Sequence, residues 1–191
     1  MRTITLDKNP LQIGVFGSGT IDQAIYKLAF EVGQEIARQG HIVINGGLTG
    51  VMEASAHGCA EAGGLVIGIL PGTEFAEGNT YSTVKVLTGM RYARNTVNGL
   101  SSHGAIVVGG SSGAYEEARR VWEGRGPVVV LDGCGSKTGA GATMIDRQAD
   151  YGLAFPEDKM KPYRIFTAQK PQEAVASVVE LIRRGYPHGD N

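Results

Sequence analysis

The sequence predicts a single doubly wound α/β domain, with a mostly parallel sheet and helices on both faces. Three observations predict it. Short apolar runs alternate with longer stretches of helical period, the order that gives a parallel sheet with crossover helices. The runs are apolar nearly throughout, as strands buried on both faces are. Glycine clusters stand where runs give way to helices, rather than in a low-complexity tract.

Taken in order, residues 13–16 read as the first strand, followed by a turn at Gly17-Ser18-Gly19-Thr20. Residues 21–38 repeat Ile21, Ile25, Leu28, Ala29, Val32 and Ile36 at helical spacing and stop before Gly40. Residues 41–44 form the second strand, and Gly46-Gly47-Leu48-Thr49-Gly50 opens a helix over 51–62. The third strand is 65–70, closed by Pro71-Gly72. A short apolar piece at 84–87 precedes a helix over 91–101. Then come a strand at 105–108, the loop Gly109-Gly110-Ser111-Ser112-Gly113, a helix over 114–123 and a strand at 127–131. Residues 132–141 read as a glycine-rich surface loop, 163–166 as a last strand and 171–184 as a terminal helix with Pro171 in its first turn. No repeat or linker divides the chain, so 1–191 is one domain with a core at about 11–184.

Composition narrows the function classes. Hydrophobic residues make up 42% and charged residues 19%, a globular balance, with a net charge of −1 that leaves no basic footprint for nucleic acid. Glycine numbers 29, about twice its usual share of roughly 7%. Cys59 and Cys134 are too few for a disulfide framework and too isolated for a zinc site. With no apolar signal region or membrane-length run, a cytoplasmic location is the default expectation.

Ligands of open parallel sheets sit beyond the carboxyl ends of the strands, where helix N-termini present free N–H groups. Three glycine-bearing joints fall on that edge. The candidate phosphate-binding residues are therefore Gly17, Ser18, Gly19 and Thr20; Gly46, Gly47, Thr49 and Gly50; and Gly109, Gly110, Ser111, Ser112 and Gly113. Any one such loop could merely turn the chain and cap a helix, but three on one edge point to a small phosphate-bearing ligand. A dinucleotide fingerprint fails at Asp22, where its third glycine belongs, and at Asn45, where an acid belongs; no Gly-Lys-Ser/Thr triplet exists for a P-loop.

Asn45-Gly46-Gly47-Leu48-Thr49-Gly50-Val51-Met52, then Thr88-Gly89-Met90 with Arg94-Asn95, then Val108-Gly109-Gly110 through Glu117 resemble the SLOG superfamily, a Rossmann-like group. It includes the LOG phosphoribohydrolases, DprA/Smf-related proteins and the molybdenum cofactor carrier proteins. The Thr-Gly-Met…Arg-Asn form resembles the carrier-like branch most. The resemblance implies a binding or carrier protein for molybdenum cofactor, a pterin phosphate, with Met90, Arg94, Asn95 and Ala114 added to the site. It also implies a homodimer or homotetramer; the residues themselves lead to no expectation of a directly coordinated metal, a nucleic acid or a membrane. The alternative is a LOG-like nucleoside 5′-monophosphate phosphoribohydrolase in which Arg94 and Glu117 would be catalytic; a nucleotide-sensing domain without chemistry is a second. Ala114 stands in the hydrolase motif's threonine position, Val108 in its proline position and His103 where an Asp is usual. These departures favour binding over hydrolysis.

Other residues carry less. His57 is one turn from both Glu53 and Glu61, a spacing that surface pairing explains better than a metal site. His103 reads as a loop residue, Trp122 as core or subunit contact, and Asp132, Cys134 and Lys137 as loop residues.

Overall fold

A computed structural model describes residues 4–124, 126–131 and 165–185. The loop expected at 132–141, with Asp132, Cys134 and Lys137, lies outside them. Among the described residues seven strands form one sheet: β1 Gln12–Gly17, β2 Ile42–Asn45, β3 Leu65–Leu70, β4 Val84–Leu87, β5 Gly104–Val108, β6 Val128–Leu131 and β7 Ile165–Ala168. Their order across the sheet is β4-β3-β2-β1-β5-β6-β7, and every pairing is parallel. Five α-helices accompany them among the described residues: α1 Gln23–Arg38, α2 Val51–Glu61, α3 Arg94–Leu100, α4 Ser112–Glu123 and α5 Pro171–Arg183. The expected α/β architecture is the observed one.

Strand side chains alternate between two cores. Ile13, Val15, Val43, Ile106 and Val129 meet the helices α1, α2 and α5 on one face. Phe16, Ala105, Val107, Val128 and Val130 meet Ala114, Ala118, Val121 and Trp122 of α4 on the other. Trp122 is thus core. The edge strand β4 leaves Val84 and Val86 exposed.

Element ends differ from the periodic pattern where local chemistry intervenes. Apolar spacing starts the first helix at Ile21, but Asp22 has extended backbone and its Oδ1 accepts from the Ile25 N–H at 2.9 Å, so α1 starts at Gln23. The helix expected from Arg91 opens as a 3-10 turn, Arg91–Ala93, and becomes α-helical at Arg94. There the Arg91 N–H is tied to the Pro71 carbonyl at 2.9 Å, which holds Arg91 at φ 51. Conversely α4 begins two residues early, at Ser112, because Ser111 has the extended N-cap backbone. The last strand lies at Ile165–Ala168, two residues beyond its expected place. No helix among the described residues is long and apolar enough to cross a membrane.

The α1–α2 contact explains two glycines that cost helix propensity. Gly33 and Gly58 lie inside α1 and α2, where glycine costs about 1 kcal/mol relative to alanine. A Cβ on Gly33 would overlap the Ser55 carbonyl, and one on Gly58 the Phe30 carbonyl, so backbone touches backbone at both points. Gly58→Ala should therefore destabilise by about 1–3 kcal/mol despite its better propensity, read as a lower urea midpoint with unchanged slope. An unchanged or raised midpoint would show that the helices can part without cost.

Candidate functional site

Gly17 and Val108 are register partners at the carboxyl ends of β1 and β5. The chain leaves β1 for α1 on one face and leaves β5 for α4 on the other. This is the topological switch point of the sheet, where open α/β folds leave a crevice. A cavity of 570 Å³ lies there, lined by Gly17, Gly19, Leu48, Met52, Tyr92, Arg94, Asn95, Ser111, Ser112, Gly113, Ala114, Glu116 and Glu117.

The three glycine loops do different work. The second is held by Asn45, which is fully buried: its Oδ1 accepts from the Gly47 N–H at 2.8 Å, and its Nδ2 donates to the Met52 carbonyl at 2.9 Å. Thr49 Oγ1 donates to the Gly19 carbonyl and the Val51 N–H to the Ser18 carbonyl, both at 3.0 Å. Gly50, at φ 69, sits where a Cβ would strike that first loop. The first two loops are thus locked together, and the first helix is already capped by Asp22. The third is open. Ser111 makes no side-chain cap, and Tyr115 makes the first described helical bond, to the Ser111 carbonyl at 3.0 Å. The N–H groups of Ser112, Gly113 and Ala114 precede it and stand at the cavity wall, with the positive end of the helix dipole behind them.

Of the candidate residues, Gly17, Gly19, Arg94, Asn95, Ser111, Ser112, Gly113, Ala114 and Glu117 line the cavity. Ser18, Thr20, Gly46, Gly47, Thr49, Gly50, Met90, Gly109 and Gly110 are outside its lining and shape or flank the loops. Leu48, Met52, Tyr92 and Glu116 also line it; Leu48 and Met52 stand in the glycine motif at 45–52 but are not among the candidate site residues, and no motif or periodicity marks Tyr92 or Glu116 as facing the cavity.

Arg94 and Glu117 meet across α3 and α4. Arg94 Nη1 donates to Glu117 Oε1 at 2.6 Å, with both side chains under a tenth exposed. Asn98, fully buried, donates Nδ2 to the same oxygen at 2.5 Å. Among the described residues both bonds use Oε1 and none uses Oε2, on a residue that lines the cavity. Burial pushes the Glu117 carboxyl above the usual carboxylate range, against the opposing pull of Arg94 and Asn98. Among the described residues Arg94 Nε has no hydrogen-bond partner. Gly46 lies over the guanidinium, where a Cβ would collide with it. Gly99 permits the helix approach, since a Cβ there would strike Arg120 and the Glu117 carbonyl.

His57 and His103 lie elsewhere. His57 stacks on Tyr81 at 4.2 Å, bonds the Tyr26 hydroxyl through Nδ1 at 2.9 Å and pairs with Glu61 at 3.3 Å. No group of three metal-ligating side chains occurs among the described residues. His103 Nδ1 accepts from the Gln12 N–H at 2.9 Å beside a second cavity, of 310 Å³, at the opposite sheet edge.

A buried pair that loses one member leaves an uncompensated charge, whereas exchanging both for apolar groups removes the desolvation cost as well. Arg94→Met should cost about 3–5 kcal/mol, and adding Glu117→Leu should restore most of it, in chemical denaturation. The acid's folded value exceeds its unfolded one, so between them the folded state keeps a proton that the unfolded state has lost. Stability therefore falls as pH rises through that window, and Glu117→Gln should remove this component of the pH profile.

Comparison with known proteins places this geometry. The structure resembles that of the molybdenum cofactor binding protein from Rippkaea orientalis, with TM-score 0.75 and 27% identity over 92% of this chain and 99% of that one. It resembles that of the molybdenum cofactor carrier protein from Chlamydomonas reinhardtii with TM-score 0.73 and 31% identity, again covering 92% and 99%. An uncharacterized protein of Archaeoglobus fulgidus is 43% identical over 127 residues, 63% of this chain and 83% of that protein. The model described as the SLOG cluster4 family matches residues 10–175, and the chain belongs to that family, in the molybdenum cofactor carrier-like branch of the SLOG superfamily.

Proposed function

We propose that this protein binds a phosphate-bearing small molecule at the switch-point cavity and acts as a carrier, with molybdenum cofactor, a pterin phosphate, as its cargo. The observation that carries the reading is the uncapped N-terminus of α4, whose first N–H groups line a 570 Å³ cavity beside the buried cation Arg94. Such a terminus is an anion site through both its free donors and its dipole. The volume falls within the range of small-molecule sites. Relatives named for binding or carrying molybdenum cofactor support that cargo. A cytoplasmic homodimer or homotetramer belongs to the same reading, and Phe75, Val84 and Val86, exposed around the β4 edge, support an assembly contact there.

One observation favours the hydrolase reading. Glu117 has a raised carboxyl pKa, an oxygen, Oε2, that neither bond uses and a cation at its side, the equipment for activating water or balancing an oxocarbenium-like charge. Ala114 supplies no hydroxyl to the phosphate cradle, which leaves the carrier reading in front.

Gly113 gives the test. Gly109 and Gly110 have φ 62 and 148, so substitution there strains the backbone. At Gly113 the nearest atoms to an added Cβ are 3.6 and 3.8 Å away, ordinary contacts. Gly113→Val should fold normally yet crowd the donors, and bind a pterin phosphate at least about tenfold more weakly by titration calorimetry, a loss of about 1.4 kcal/mol. Undiminished affinity would remove α4 from the site. Release of free base from adenosine monophosphate that disappears in Glu117→Gln would establish the hydrolase instead.

A further inference from the structure

The cavity offers more than an oxyanion needs. Its charged lining is one guanidinium, Arg94, against two carboxylates, Glu116 and Glu117. Glu117 is engaged by Arg94 and Asn98, but Glu116 is exposed, and only its Oε2 is held, by Asn95 Nδ2 at 3.3 Å. Among the described residues its Oε1 has no partner. An ionised carboxylate accepts hydrogen bonds and donates none, so where it meets a ligand it favours N–H or O–H groups over acceptors. The apolar side of the lining is Leu48, Met52 and Tyr92, the last 86% exposed. That surface suits the face of an aromatic ring. Arg94 Nε, on a residue more than nine-tenths buried, has no hydrogen-bond partner among the described residues.

Resting on the phosphate-binding reading above, we infer that Glu116 selects the ligand's ring. The carboxylate takes a heterocycle edge with two adjacent N–H donors, the 2-amino-4-oxopyrimidine edge shared by guanine and pterins. Tyr92 covers the ring face, and the phosphate rests on the start of α4. Glu116 lies four residues after Ser112, about 6 Å along the helix axis, so both contacts come from one rigid element. Adenine offers a donor beside an acceptor on its corresponding edge and meets the carboxylate with like polarity. Hypoxanthine keeps the ring N–H but lacks the 2-amino group. A site built around hydrogen bonds rejects an analogue that leaves them unmade.

Calorimetric titration of the full chain with guanosine, inosine and adenosine monophosphates, in competition with inorganic phosphate, tests this. Guanosine monophosphate should bind about tenfold more tightly than the other two, and phosphate should displace it. In Glu116→Gln, a substitution on an exposed helix position checked for folding by circular dichroism, the preference should collapse to within about twofold, because the amide presents a donor where an acceptor is needed. Equal affinities in the wild type, or a preference that survives Glu116→Gln, overturns the inference alone provided phosphate still competes. Nucleotides that bind but are not displaced by phosphate, or that do not bind at all, overturn the phosphate site and this inference together.

Discussion

A guanidinium and a carboxylate buried together between two helices lose several kcal/mol of hydration each, and the surroundings of Arg94 and Glu117 answer that requirement. Glu117 Oε1 receives both the guanidinium and the Asn98 amide. Gly99 lets α3 close on α4 until these groups touch, and Gly46 leaves space for the guanidinium beneath the second loop. Removing any of these features would separate the charges or crowd them. The pair therefore does more than join helices. It fixes the floor of the cavity between β1 and β5, and it keeps a cation and a carboxylate at fixed positions beside the α4 N-terminus.

The same economy of contacts explains why three similar loops have unequal roles. A helix start whose donors are already satisfied offers little to an anion, and Asp22 satisfies the start of α1. The second loop spends its polar groups on Asn45, Gly19 and Ser18, which makes it a brace with Leu48 and Met52 projecting into the cavity. The starts of α2 and α4 both lack a side-chain cap, but the Val51 N–H of α2 is bonded to the Ser18 carbonyl, whereas Ser112, Gly113 and Ala114 of α4 line the cavity. Binding and packing are thus divided between loops that look alike on paper.

The architecture was legible because burial on both sheet faces leaves a long, one-dimensional trace: β3 and β4 lie where their apolar runs lie, and Gly40 follows the helix it ends. The departures come from contacts invisible to periodicity. Asp22 reads as a misplaced fingerprint residue until its side chain is seen bonding the Ile25 N–H. Asn98 belongs to no motif, since its role depends on a carboxylate 19 positions away. Glu116 sits beside the recognisable Glu117, and only the pitch of α4 decides that both face one cavity. Arg94 and Glu117 were visible through a family resemblance, whereas spacing alone would not have paired them.

The central claim is that anion recognition belongs to the first turn of α4. Amide chemical-shift mapping by NMR, with ¹⁵N-labelled full chain titrated to saturation with inorganic phosphate, tests it directly. The account predicts that the Ser112, Gly113 and Ala114 amides shift together along one binding curve, while the Ile25 and Gly47 amides, already bonded to Asp22 and Asn45, move little. Largest shifts at the start of α1, or at Gly124 and Gly126 around the opposite cavity, would contradict it.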